Sequence, residues 1–151
     1  MSTNFSPAQS QALFDALQSG MQQLSLFQAT DTHEPESPPG KRLYCSIVLG
    51  PLKAVTTSGL GKTSGQVTFT IRIWSNAKQR PLDKIDPELL AAAAAVMGWL
   101  SGEFTLGGTV RNIQLLDMTA VPEWIEFEGQ QFRASEVTVP IVINDMWVQS
   151  A

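Results

Sequence analysis

The sequence has little of the chemistry on which most enzymes and metal proteins depend. Its 151 residues include one cysteine and one histidine, so an internal disulfide is impossible. His33 falls in a proline-rich segment, which disfavours a catalytic triad around it. Cys45 shares a strand face with apolar residues, which favours a buried thiol over a metal ligand. We therefore predict no catalytic residue, no metal and no cofactor, and we expect that the protein is not an enzyme.

Long apolar runs and strong positive charge are also missing. No apolar segment approaches the roughly 20 residues of a membrane span, and the first residues, MSTNFSPAQSQ, lack the pattern of a signal peptide. The formal net charge is −4, and the ten lysines and arginines do not cluster, which disfavours a nucleic-acid reader. We expect no membrane contact and a location in the cytoplasm where the chain is made. A charged fraction of 16% mildly favours an assembled protein.

One segment resembles part of a phosphate-binding loop. Gly61, Lys62 and Thr63 match the end of the P-loop pattern, in which backbone amides and a lysine surround phosphates. The first glycine of that pattern would fall at Thr56. A strand is predicted after Thr63, where a P-loop requires a helix N-terminus. The sequence therefore favours a flexible glycine-rich connection over a nucleotide site.

Two helices are predicted from apolar periodicity. The first covers about 7–28, with apolar residues at helical spacing: Leu13, Leu17, Met21 and Leu24. Gly20 in its middle indicates a close contact or a bend. A linker with three prolines follows at about 29–41. The second helix is predicted to begin with Asp86 as N-cap and Pro87 at the first helical position, and to end at Gly102. Five alanines on this helix predict close packing on a sheet or another helix.

Alternating apolar and polar residues predict five strands. The expected bounds are 43–49, 67–74, 109 to about 118, 124–127 and 130–143. The first strand is expected to end at Gly50 and Pro51, and Pro140 is expected on an edge or at a bulge. This order predicts one α+β domain over 1–151, with a mostly antiparallel sheet in 42–151 packed against the two helices.

The four tryptophans leave two interpretations open. Several fall off the apolar face of their element, so we expect some of them to point partly outward. Aromatic residues of this kind occur at subunit interfaces or in a second small core, and we favour interfaces. The residues concerned are Trp74, Trp99, Trp124 and Trp147.

Five motifs together resemble one protein family. They are Ser58-Gly-Leu60, VTFTIRIWSN at 67–76, PLDKIDP at 81–87, GEFTLGGTVRNI at 102–113 and PIVINDMW at 140–147. In order and spacing they closely resemble the tail-terminator proteins of long-tailed, siphovirus-type phages that infect actinobacteria. The resemblance runs from about the first helix to the C-terminus.

The resemblance implies a ring-forming virion protein in the neck region of the tail, assembled in the host cytoplasm. It implies a homohexamer that caps the head-proximal end of the tail tube, stops its polymerisation and binds the head-tail connector or another neck protein. DNA would pass through the lumen without specific binding, which agrees with a net charge of about −24 for six subunits.

Candidate residues for the subunit or tube interface follow from the motifs and the aromatic residues. They are Ser58, Gly59, Leu60, Trp74, Asn76, Leu106, Trp124 and Trp147. We predict that Ser58–Gly65 and Trp74–Leu82 project as flexible arms that become ordered against a neighbour or the tube. Two alternatives remain open: another neck or tail-tube subunit, and a soluble small-molecule-binding module.

Overall fold

A computed structural model describes residues 5–40, 42–56, 61–78 and 81–148. Within these residues the chain forms an α+β domain with two α-helices and one six-stranded sheet. The elements are α1 (Pro7–Gln23), β1 (Thr30–Asp31), β2 (Tyr44–Val55), β3 (Lys62–Asn76), α2 (Leu82–Gly102), β4 (Asn112–Ile113), a 3-10 turn (Leu115–Asp117), β5 (Thr119–Phe127) and β6 (Gln130–Val148). The predicted fold class, a mostly antiparallel sheet packed on two helices, is confirmed.

The sheet has the order β1-β2-β3-β6, and both β4 and β5 pair with the far side of β6. Among the strands that the structure describes, only the short β1 runs parallel to its neighbour, and the other pairings are antiparallel. The long strands β3 and β6 pair from Thr68 with Pro140 to Asn76 with Phe132 without a shift of register. These two strands therefore form the middle of the sheet.

The two faces of the sheet differ in what they contact. Along β3, alternate residues point to opposite faces. Val67, Phe69, Ile71 and Ile73 join both helices in one buried apolar cluster, and we call this side the helix-covered face. The polar face carries the intervening residues of β3: Thr68, Thr70, Arg72 and Trp74. The main core thus lies between one face of the sheet and the two helices.

Gly20 lies at the contact between the two helices. A Cβ atom at this position would overlap the indole ring of Trp99 in α2. The sequence left a close contact or a bend open at Gly20, and the close contact is confirmed. The absence of a side chain lets α1 approach α2, so the indole ring fills the space above the glycine.

The predicted ends of both helices need correction. α1 ends at Gln23, and Ser25 adopts a positive φ of 56°, so the expected extension to residue 28 is wrong. α2 begins at Leu82, and Pro87 lies inside it. Asp86 is therefore not the N-cap. Its carboxylate instead accepts a hydrogen bond from Arg133 Nε at 3.0 Å, a contact from the sheet that the sequence pattern does not contain.

The predicted strands are mostly too short. β2 does not end at Gly50 and Pro51 but continues to Val55, with a register shift between Leu49 and Leu52. The predicted linker at 29–41 contains β1, which pairs with Cys45 and Ser46. The strand expected from 109 to about 118 is replaced by the two-residue β4 and the 3-10 turn. Pairing with neighbours lengthens strands that local alternation alone ends early.

Pro140 lies inside β6, where the partner strand is interrupted. Gln114 N donates to the Pro140 carbonyl at 2.9 Å, so that carbonyl faces the side of β4 and β5. In antiparallel pairs, the N–H and C=O of one residue point to the same side. β5 pairs with β6 up to Thr138, and β4 pairs from Ile141. The missing N–H therefore falls in the gap between two partner strands, where it costs no ladder hydrogen bond.

Candidate assembly interface

β5 forms one free edge of the sheet. It pairs with β6, and no other strand of the described residues pairs with its outer side. Two apolar side chains on this strand are more than half exposed, Val121 at 54% and Trp124 at 57%. A strand with one unpaired side and exposed apolar groups is a surface on which another chain can add. We call Thr119–Phe127 the β5 edge.

Trp124 is held in place by charged neighbours. The guanidinium carbon of Arg133 lies 5.1 Å from the centroid of the Trp124 ring, within the range of a cation–π contact. Arg133 also forms a 3.0 Å ion pair with Asp86 on α2. The chain Trp124–Arg133–Asp86 therefore links the β5 edge to the start of the second helix and orients an exposed aromatic ring.

An apolar groove lies beside Trp124, between α2 and β5. Its volume is about 440 Å³. Leu90 from α2 lines it and is 73% exposed, and Ala120 and Pro122 line it from β5. The groove makes the apolar surface at this edge continuous from the strand to the helix.

The opposite side of the sheet has a second free edge. β1 pairs with β2 at Cys45 and Ser46, and from Val48 to Val55 the outer side of β2 has no partner strand in the described part of the chain. Leu49 is 64% and Leu52 51% exposed. We call Val48–Val55, with the part of β3 that pairs with it, the arm.

A charged cluster lies on the polar face close to the β5 edge. Arg72 forms ion pairs with three carboxylates: Glu34 at 2.8 Å, Glu136 at 3.1 Å and Glu123 at 3.5 Å. The contact to Glu123 is long for a hydrogen bond. Burial and then the charge of Glu136 raise the pKa of Glu123 despite the nearby Arg72. Three carboxylates around one guanidinium leave an excess of negative charge at this place.

A second small core on the polar face contains Trp74. The buried residues Tyr44, Trp74 and Phe132 pack together, with Ile125 and Phe127 of β5 against them. The indole N–H of Trp74 donates to Ser46 Oγ at 3.0 Å. The Tyr44 hydroxyl donates to Asp31 at 2.5 Å, and burial and this hydrogen bond raise the pKa of Tyr44. For Trp74 the structure thus favours the small core over the interface.

The other candidate residues lie in different environments. Asn76 is buried and its amide donates to the Pro39 carbonyl at 3.3 Å and to Gln130 at 3.0 Å. Leu106 is buried in the main core, and Trp147 packs against that core from a partly buried position. Ser58, Gly59 and Leu60 lie outside the described residues. Of the described candidates, only Trp124 is largely exposed.

The predicted flexible arms also need correction. Lys62–Gly65 belongs to β3, and Trp74–Asn76 forms its buried end. The prediction that these residues are flexible is therefore wrong, because both stretches are paired with β6.

Chemically reactive groups are shielded or isolated. Cys45 is buried, and burial raises the pKa of its thiol to about 12, so little thiolate is present near neutral pH. His33 is exposed and contacts the Glu34 carbonyl at 2.7 Å. Lys62 and Thr63 belong to a strand, which does not provide the helix N-terminus that a P-loop needs. Among the described residues no group of three or more His, Cys, Asp or Glu side chains is arranged so that it could hold a metal ion, and no helix is long and apolar enough to cross a membrane.

Sequence reasoning missed several exposed apolar residues at these edges. Leu49, Leu52, Leu90 and Val121 were not candidates. Leu49 lies within an alternating apolar pattern typical of core positions, so its exposure depends on where the helices end above the sheet. The sequence pattern could have predicted the exposure of Leu90. This residue follows the core residue Leu89 and so falls on another side of α2.

Comparison with known proteins finds a distant similarity to a solved structure. No protein-family model and no curated protein matches the chain. A chain from a solved structure described as "Virion of native gene transfer agent (GTA) particle" is similar with a TM-score of 0.42 and 16% sequence identity. The similarity covers 91% of this chain and 98% of that chain. At this TM-score and identity, it does not establish a shared fold or function.

Proposed function

We propose that this protein is a phage tail terminator. In this role six copies form a ring on the head-proximal end of the tail tube, stop its growth and bind the connector or another neck protein. The observation that carries the proposal is the pair of free edges, the arm and the β5 edge, on opposite sides of one sheet. The five sequence motifs supply the specific resemblance to terminators.

A closed ring requires two different contact surfaces on each subunit. In a ring, each subunit presents one surface to the neighbour before it and a different surface to the neighbour after it. Strand edges with exposed apolar groups suit such contacts, since they add backbone pairing to side-chain packing. A single self-complementary patch would instead produce a twofold dimer.

The charge distribution supports a lumen that does not hold DNA. The chain carries a formal charge of −4, and the Arg72 cluster places an excess of carboxylates on the polar face. Proteins that bind DNA tightly neutralise phosphates with lysine and arginine. Under the proposal, DNA crosses the ring without specific binding.

Electron microscopy with tail tubes tests the proposal. Purified tubes should be incubated with the protein and their ends and lengths recorded, and tubes alone serve as the control. We expect single rings at one end of each tube and no further elongation when tube subunits are added. Long tubes made of this protein alone would instead identify a tube subunit, and bare tube ends would contradict a terminator.

The groove between α2 and β5 favours a second candidate, a small-molecule-binding module. Its volume of about 440 Å³ falls within the range of ligand sites. However, Asp86 and Arg133, two polar groups at its rim, already pair with each other. A thermal-shift screen of metabolites checks this candidate, which requires a ligand that raises the melting temperature of wild type more than that of Leu90→Lys.

A further inference from the structure

We propose that neighbouring subunits join by docking of the arm of one copy on the β5 edge of the next. This inference rests on the proposed ring and specifies which surfaces meet within it. Both surfaces are exposed, each is a strand whose outer side has no partner strand among the described residues, and they lie at opposite sides of the same sheet. Three further observations support their pairing with each other.

The first observation is that apolar side chains occur on matching faces. Leu49 and Leu52 are in register with Phe69 and Val67, so they point to the helix-covered side of the sheet. Trp124 lies on the same side, because it contacts Arg133 beside α2. A sheet that continues from one copy to the next would place the two leucines next to the indole ring and the groove.

The second observation is opposite charge. From Cys45 to Thr70 the sequence contains two lysines, Lys53 and Lys62, and no acidic residue. From Thr119 to Gln131 it contains three glutamates and no basic residue: Glu123, Glu126 and Glu128. Charge of opposite sign favours contact between the arm and the β5 edge. Like charge disfavours contact of each surface with its own copy, so the contact is head to tail.

The third observation concerns the Arg72 cluster. Lys53 is in register with Gln66, next to Val67, and so belongs to the polar face. Glu123 reaches Arg72 on that face, where carboxylates outnumber the guanidinium. A lysine from the neighbouring arm would reduce this excess of negative charge, and it would approach from the one side of β5 that has no strand in the described residues.

Prolines limit how the two edges pair. Pro51 interrupts the arm and Pro122 interrupts the β5 edge, and neither has an N–H to donate to a ladder. Side chains therefore carry much of the contact. The same prolines disfavour unlimited strand addition at either edge.

Mixed crosslinking tests the head-to-tail contact. Leu52→Cys and Glu126→Cys each place one thiol on an exposed surface, and the native Cys45 is buried, so wild type is a suitable background control. The variants are assembled together on tail tubes and treated with a short bismaleimide. We expect crosslinked dimers from the mixture and almost none from either variant alone. Crosslinks within Leu52→Cys alone, or none in a mixture that forms rings, would overturn the proposal.

Charge reversal provides the second test. Lys53→Glu and Glu123→Lys should each lower ring formation by about tenfold or more, and the double variant should recover most of it. Lys78→Glu makes the same charge change at an exposed residue outside the arm and the β5 edge, and it should leave assembly unchanged. Thermal unfolding of each variant separates a folding defect from an assembly defect. Equal losses in the single and double variants, with folding intact, would show that these two residues do not meet.

The outcomes distinguish the interface from the proposed function. Crosslinked rings that do not cap tubes would contradict the terminator and keep the interface. Rings that cap tubes without arm-to-edge crosslinks would support the terminator and contradict the proposed interface. A protein that stays monomeric with and without tubes would contradict both.

Discussion

The two faces of the sheet differ in the side chains that pack on them. On the helix-covered face, apolar residues from β2, β3 and β6 merge with α1 and α2 into one buried cluster. On the polar face, a small aromatic core lies beside an ion-pair cluster around Arg72. Hydrophobic burial is the larger stabilising contribution, whereas partly exposed ion pairs add little stability. The comparison indicates that the helix-covered face stabilises the fold and that the charged part of the polar face is available for recognition.

The largest expected effect comes from the main core. Phe69 is buried and contacts the Phe14 ring edge to face, with 5.0 Å between centroids. Phe69→Ala should lower the free energy of unfolding by about 3–5 kcal/mol, because it leaves a cavity between sheet and helix. Chemical denaturation measures this loss. Thr70→Ala, the next residue on the polar face, is the control and should change stability by less than about 1 kcal/mol. Similar losses of unfolding free energy at both positions would contradict the conclusion that the helix-covered face contributes more to stability than the polar face.

The next effect concerns the contact between the helices. Gly20→Ala places a methyl group against the Trp99 ring and should destabilise the fold by about 1–3 kcal/mol through overpacking. The matched control is Gly98→Ala in α2, where an added Cβ meets no atom within 4 Å. Alanine there should stabilise the helix by about 1 kcal/mol. Differential scanning calorimetry should therefore show melting temperatures that move in opposite directions, and a shift in the same direction would contradict the close approach at Gly20.

Trp124→Ala should affect assembly more than folding. Because the ring is 57% exposed, its removal should cost less than about 1 kcal/mol of stability, while exposed aromatic anchors contribute strongly to interfaces. Thermal unfolding and negative-stain counts of rings on tubes measure the two effects. Trp74→Ala is the contrasting variant and should lose stability through the small core. Loss of the thermal transition in Trp124→Ala would place this side chain in the core instead.

The smallest effect is expected in the Arg72 cluster. A raised pKa means that folded Glu123 binds its proton more tightly than the unfolded chain does, so its charge opposes folding at neutral pH. Glu123→Gln should therefore stabilise the fold at pH 7 by less than about 1 kcal/mol. The gain should vanish as pH falls and the native carboxyl becomes protonated. Denaturation across pH measures this, with the exposed Glu103→Gln as control. A loss of stability at pH 7 would show that attraction to Arg72 dominates.

Local pattern predicted the class of the fold better than its boundaries. The alternation in β3 and the periodicity of α1 were enough for an α+β sheet on two helices, because burial of one face imposes those periods. The predicted start of α2 was wrong. Asp86 and Pro87 resemble a helix start in local sequence, but they lie about one turn inside the helix. The strand expected before residue 118 was wrong because turns, not alternation, follow the positive φ values at Leu106, Gly107 and Gly108.

The candidate site was less accessible to sequence reasoning. The sequence predicted only that some of the tryptophans point partly outward. Trp124 does so, whereas Trp74, for which the same strand-face argument was made, is buried by Tyr44 and Phe132. The difference arises because the segment after α1 and the β5-β6 hairpin cover that part of the polar face. Such cover depends on contacts between residues far apart in sequence, which periodicity cannot report.

The sequence by itself determined the fold class, the low content of reactive groups, the acid-free arm and the base-free β5 segment, because these follow from composition and local periodicity. Only the tertiary structure decided which edges stay unpaired, which tryptophan is exposed and where the carboxylates gather around Arg72. These features depend on strand order and on the reach of the helices over the sheet. Both are fixed by packing between distant segments, where the free energy of burial outweighs local preference.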